Sequence, residues 1–156
     1  MALTSPKAKI IDDIINYLRN EVVELKYINL NLRQLDFYEV QPAVAWPCCL
    51  IDIIQITYDQ RQDGQHGNLQ LRLTLGFDVV SDTSGLAPDA VREAGLNYFE
   101  LENKIYQKMQ YYNAGGLVFN DFIRLRDATQ QRDDAFRVLD NDYKATFHDR
   151  SKELNP

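Results

Sequence analysis

Residues 67–80, GNLQLRLTLGFDVV, alternate without a break: Leu69, Leu71, Leu73, Leu75, Phe77 and Val79 are apolar, and Gln70, Arg72, Thr74, Gly76 and Asp78 separate them. A period of two sends successive side chains to opposite faces of a strand, so this segment predicts a β-strand with its odd-numbered face on a core. The even-numbered face must meet water or another protein surface. A strand also leaves its backbone groups unpaired until neighbours arrive, so more strands have to be found nearby.

One lies immediately upstream. Residues 49–58 are nearly continuous in apolar character and rich in isoleucine, as suits a strand covered on much of both faces. Between the two stands DQRQDGQHGN, residues 59–68, whose glycines Gly64 and Gly67 and polar composition predict a loop. The pair makes a long hairpin. Because the connection exceeds the usual ~2–5 residues, its strands are expected to run on as an arm projecting from the sheet.

Helical spacing accounts for two further segments. Ser5 can cap, Pro6 suits a first turn, and Ile11, Ile14, Ile15, Leu18 and Val22 form one apolar stripe, predicting a helix that ends near Leu25. After the breaker SDTSGLAP, residues Val91, Ala94, Tyr98, Leu101, Ile105, Met109 and Tyr112 predict a second helix that stops at Ala114, Gly115 and Gly116. Residues 27–47 read as an extended crossing segment with a short edge strand over 37–40, since Pro42 and Pro47 exclude a helix there. Two strands follow the second helix: 122–127, with arginines between Ile123 and Leu125, and 142–148, with Tyr143, Ala145 and Phe147 on one side. Residues 136–139 either begin the last strand or form their own, and SKELNP at 151–156 reads as a loose tail. The fold class is therefore α+β: a single domain over 1–156 with its ordered core in about 6–150, an antiparallel sheet of about four or five strands with a long hairpin, and two main helices on one face.

A chain of 156 residues, 45% hydrophobic, is enough for one core. Its 17 Lys and Arg against 23 Asp and Glu leave a formal charge of -6, which speaks against a nucleic-acid binder or a protein that lies on anionic lipid. No apolar run approaches the ~20 residues of a membrane span. The opening MALTSPKAK lacks the apolar core of a secretory signal, so the chain is expected to remain in the compartment where it is made. Its adjacent cysteines, Cys48 and Cys49, are poorly placed to bridge each other and read as small buried apolar residues.

Candidate chemistry is sparse. His66 falls in the polar loop, and His148 precedes Asp149 at the end of the last strand, where a His-Asp neighbour pair reads as surface decoration. Asp59, Asp63 and Gly64 match three positions of a calcium loop, but Arg61 and Gln70 stand where ligands are needed and no helix precedes them. DTSG at 82–85 is turn chemistry, and the nucleotide-binding glycine motifs are absent. Tyr98, Tyr106, Tyr111 and Tyr112 offer either a stacking platform or, at helical spacing, core and interface contacts. No catalytic, cofactor-binding or metal-ligating set emerges. What remains is mixed charge on the strand faces: Arg72, Thr74, Asp78, Arg124, Arg126, Arg137 and Lys144 beside Asp127, Asp133, Asp134, Asp140 and Asp142, which is either a solvated face or a subunit contact. Asp52, inside CCLIDII, needs a partner such as Arg72 across the hairpin if it is buried.

The order of these elements is helix, PAVAWPCCLIDI, hairpin to LQLRLTLGFDVV, helix ENKIYQKMQYY, FIRLRD, then DYKATFHD. That layout resembles the tail terminator and tail completion proteins of long-tailed bacteriophages and their prophage or contractile-particle relatives, over about residues 6–150. The resemblance implies a non-enzymatic virion protein, made in the bacterial cytoplasm, that assembles with copies of itself into a ring, typically hexameric. Such a ring caps the tail tube and meets the connector or neck proteins. It implies no cofactor and no specific nucleic-acid binding, and an acidic subunit suits a lumen through which DNA passes without sticking. Under this reading Asp59, Arg61, Asp63, Gln65 and His66 of the arm, with Arg72, Thr74, Arg124 and Arg126 of the strands, are the inter-subunit or tube contacts. A different class of protein, a small α+β ligand-binding or hydrolytic domain with a pocket between sheet and helices, fits the same elements.

Overall fold

The alternating segment is the centre of the sheet. In the computed structural model, which describes residues 2–36, 44–79 and 81–154, the elements run α1 (Pro6–Glu21), β1 (Tyr27–Leu30), β2 (Cys48–Arg61), β3 (Gly64–Phe77), α2 (Asp89–Met109), β4 (Val118–Thr129), β5 (Arg137–Asp149) and α3 (Ser151–Leu154). The strands lie in the order β1-β2-β3-β5-β4. All neighbours are antiparallel except β1, which pairs in parallel with the start of β2, from Tyr27↔Cys48 to Leu30↔Ile51. Tyr27–Leu30, at the start of the expected crossing segment, is thus a fifth strand. The short edge strand expected at 37–40 lies outside the described residues.

The odd face of β3 behaves as its sequence dictates. Leu69, Leu71, Leu73, Leu75 and Phe77 pack with Ile10, Ile14 and Leu18 of α1, Ile105 and Met109 of α2, and Phe122, Tyr143 and Phe147 of β4 and β5. Ser5 caps α1 through the Ala8 amide, as its position predicts. α1 and the turn after it are tied to α2 and the turn after it by Tyr17 stacked on Tyr112, with ring centres 3.7 Å apart, and by Lys104–Glu24 at 2.7 Å and Lys108–Glu21 at 3.1 Å. Helical spacing overstates how much of α2 is covered: Val91 and Ala94 are exposed, and only Gly95, Ile105 and Met109 are fully buried. The first half of α2 leans on the 81–83 loop, where a side chain on Gly95 would lie 2.4 Å from the Thr83 methyl.

The expected loop at 59–68 is not a loop. β2 and β3 stay paired through Thr57↔Asn68, Asp59↔His66 and Arg61↔Gly64, leaving Gln62 and Asp63 as the turn, with Gly64 at φ 112° in the region that favours glycine. Nor does this end project alone, because β5 accompanies β3 as far as Gln65↔Asp149. Polar residues continue the strand here because their partners are polar strand residues and not a core. Of residues 136–139, Arg137 to Leu139 begin the last strand, and Ser151–Leu154, read as part of a loose tail, take up one helical turn anchored by Asp149 to the Ser151 amide.

A second, smaller core lies on the opposite face. Leu35, Val44, Cys48, Leu50 and Val138 are buried together, with Tyr27 and Trp46 packed on them and Trp46 stacked on Phe136. Residues 31–36 and 44–47 therefore cross one end of the outer face. Arg132 clamps them by donating to the Leu35 carbonyl while paired with Asp134. Cys48 and Cys49 are free thiols, both buried, on opposite sides of the sheet; desolvation pushes Cys48 up to about 11 and Cys49 further still.

Candidate functional site

Beyond the smaller core the outer face is uncovered among the described residues, and strand register builds it in rungs. Asp52, Arg72 and Asp142 form one rung across β2, β3 and β5; Thr57, Asn68 and Thr146 form another; Asp59, His66 and His148 form the last, beside the turn. A shallow concavity of about 620 Å³ opens on this face between Gln55, Gln70, Lys144, Ile123 and Leu125.

The central rung is an ion cluster. Arg72 donates to both oxygens of Asp142 at 2.7 and 3.1 Å, and Arg126 donates to the same carboxylate at 2.8 Å. Asp142 is 1% exposed, so the two guanidiniums supply the hydrogen bonds that water no longer does. Burial would raise its pKa, but the hydrogen bonds from Arg72 and then Arg126 hold the carboxyl below the usual carboxylate range. Asp52 is exposed and faces this cluster in register, while the hydrogen bonds of Arg72 go to Asp142. Thr74 donates to Asp140 at 2.8 Å, and Gln130 reaches the same carboxylate.

The residues expected to make contacts separate into three places. Asp59, Arg61, Asp63, Gln65 and His66 gather at the turn end of the hairpin; Arg72, Thr74 and Arg126 lie mid-face, each engaged with a β5 aspartate; Arg124 lies on the helix side, its guanidinium 3.8 Å above the Tyr106 ring. A β4 irregularity between Arg124 and Arg126 separates the last two, so residues two apart point to different faces. His148, set aside as surface decoration, joins the first group opposite His66. The signal was non-local, and only the β3–β5 register exposes it.

One strand edge is also open. β1 covers β2 only through Ile51, and past the irregularity between Ile53 and Gln55 the outer side of β2 has no strand beside it among the described residues. Ile54 and Tyr58 are exposed along it, at 37% and 42%. By contrast β4 is partly shielded, because the chain after α2 returns alongside it and Tyr111 and Tyr112 exchange backbone hydrogen bonds with Phe122. The space between sheet and helices, where a ligand-binding or hydrolytic domain would keep its pocket, is filled by the main core.

No helix among the described residues is long and apolar enough to cross a membrane. The sequence matches no protein-family model and no curated protein at a significant level. Among solved structures, the virion of the native gene transfer agent particle contains a chain with this fold: the two are 10% identical and align over 94% of this chain and 100% of that one, with a TM-score of 0.50.

Proposed function

We propose that this chain is a structural subunit of a phage-type particle, a tail terminator or tail completion protein whose copies form a ring that closes the tail tube and meets the connector. The observation that carries this reading is the fold match, over 94% of this chain and 100% of the other, to a chain of a gene transfer agent virion. The sheet supports it with an open β2 edge and an outer face bearing both signs of charge, the arrangement that sets register between subunits. The acidic balance of the chain keeps DNA from adhering to such a ring. The role is structural and non-enzymatic, with Asp59, Arg61, Asp63 and Gln65 at the hairpin end as the first contacts between neighbours and Arg72, Thr74, Arg124 and Arg126 as further ones.

Light scattering over a concentration series tests it, on the purified chain alone and mixed with tail-tube protein. The expected mass is a multiple of the 18.1 kDa subunit, sixfold for a hexamer. Exchanging the charges at the hairpin end, with Asp59→Arg and Arg61→Asp together, is expected to lower that mass while thermal unfolding is unchanged, since both side chains are exposed. A monomer at every concentration, with and without tube protein, overturns the reading.

A further inference from the structure

The chain contains two histidines, His66 and His148, 82 positions apart, and the fold brings them together. They are directly opposed in the β3–β5 register, with ring centres 4.9 Å apart. The turn then adds a carboxylate: Asp63 Oδ1 lies 3.5 Å from His66 Nε2, and Asp63 Oδ2 lies 3.6 Å from His148 Nε2. One ligand atom from each of the three side chains falls within 4.8 Å of the others. From this geometry we propose that Asp63, His66 and His148 form a site for a divalent transition-metal ion of the zinc type.

Spacing supports the assignment. Tetrahedral zinc with bonds near 2.1 Å sets its ligand atoms roughly 3.4 Å apart. The oxygen-to-nitrogen separations of 3.5 and 3.6 Å, one from each oxygen of the Asp63 carboxylate, lie near that edge, and the three side chains close on one ion only if they turn further toward one another. Two imidazoles and one carboxylate favour zinc, cobalt or nickel over magnesium or calcium, which prefer all-oxygen shells. Three protein ligands leave a fourth position for water or for a donor from another molecule.

The supports around the ligands are firm. Both histidines sit on paired strands, the side chain of each is 23% exposed, and the Phe119 ring meets His66 edge-on at 5.0 Å. His148 Nε2 also contacts the Asp63 carbonyl, which ties the turn to β5; an ion bound at that nitrogen replaces this contact. A bound ion would fasten the hairpin turn to the last strand.

The test uses the full chain without a histidine tag, titrated with zinc chloride by calorimetry. One ion per chain is expected, with His66→Ala and His148→Ala each weakening binding by at least about tenfold. Saturating zinc is expected to raise the unfolding temperature of the wild type by about 5 °C or more. Imidazole nitrogen NMR on the wild type reads the site without any variant: both histidines must shift together, with the change complete at one equivalent of zinc. No zinc uptake by the wild type, uptake unchanged in both alanine variants, or a shift confined to one ring overturns the site.

Discussion

Replacing Tyr143 with Phe is expected to stabilise the protein. Tyr143 lies at the middle of β5 on the helix side, opposite Leu71 on one flank and Arg124 on the other, and is 0% exposed. Its hydroxyl has no hydrogen-bond partner among the described residues, and burial pushes its pKa well above the ordinary tyrosine value. A hydroxyl taken from water without a partner costs about 1–3 kcal/mol. Against this stands the void left by one oxygen: smaller than the ~30 Å³ share of a water, at ~24 cal/mol per Å³, it costs less than about 0.7 kcal/mol. The ring and its packing are untouched. The net gain is therefore about 1 kcal/mol, which urea unfolding reads as a midpoint raised by roughly 0.5 M and thermal unfolding as an increase of about 2–4 °C. Tyr112→Phe supplies the opposite sign from the same chemistry, because that hydroxyl donates to Asp13; a loss of about 1 kcal/mol is expected there. A midpoint for Tyr143→Phe at or below the wild-type value refutes the argument, since it means that the hydroxyl has a partner in solution.

Asp142→Ala is expected to cost about 2–3 kcal/mol, below the usual ~3–5 for a broken buried pair because Arg72 and Arg126 both reach water once released. Since the Asp142 pKa is lowered on folding, its contribution is fully present above the unfolded value of ~3.9 and is lost as pH falls through the folded value, so wild-type and variant stabilities should converge below about pH 4; parallel curves count against the cluster. Gly67→Ala should destabilise by about 1–3 kcal/mol in chemical denaturation, because the added Cβ would sit 2.5 Å from the Phe147 ring. An unchanged midpoint there means that the ring moves aside.

Periodicity disclosed the elements whose burial is one-sided and local. β3 and α1 follow from their apolar spacing because each has one face on the main core. The hairpin end failed that test: Gln, Asp, Gly and His read as a turn, yet they continue as strand because β2, β3 and β5 supply polar partners rung by rung. The parallel pairing of β1 was equally hidden, since Ile28 and Leu30 alternate without indicating which strand they join. Likewise, Asp142 looks like any charged strand residue until arginines from two neighbouring strands converge on it. The residues proposed as contacts were legible as a mixed-charge face but not as three groups, because a single irregularity in β4 turns Arg124 away from Arg126.

The adjacent cysteines have a use that the division of the core creates. Cys48 belongs to the small outer cluster and Cys49 to the main one, so a single peptide link spans the thickness of the sheet. Proteins open in parts, and a patch held by few buried side chains opens at a smaller free energy than the whole. Lifting residues 31–36 and 44–47 off the sheet bares Cys48 and leaves Cys49 under the helices. Alkylation rates at the two sulfurs would then separate the chain's partial breathing from its complete unfolding, with both gauges already encoded side by side.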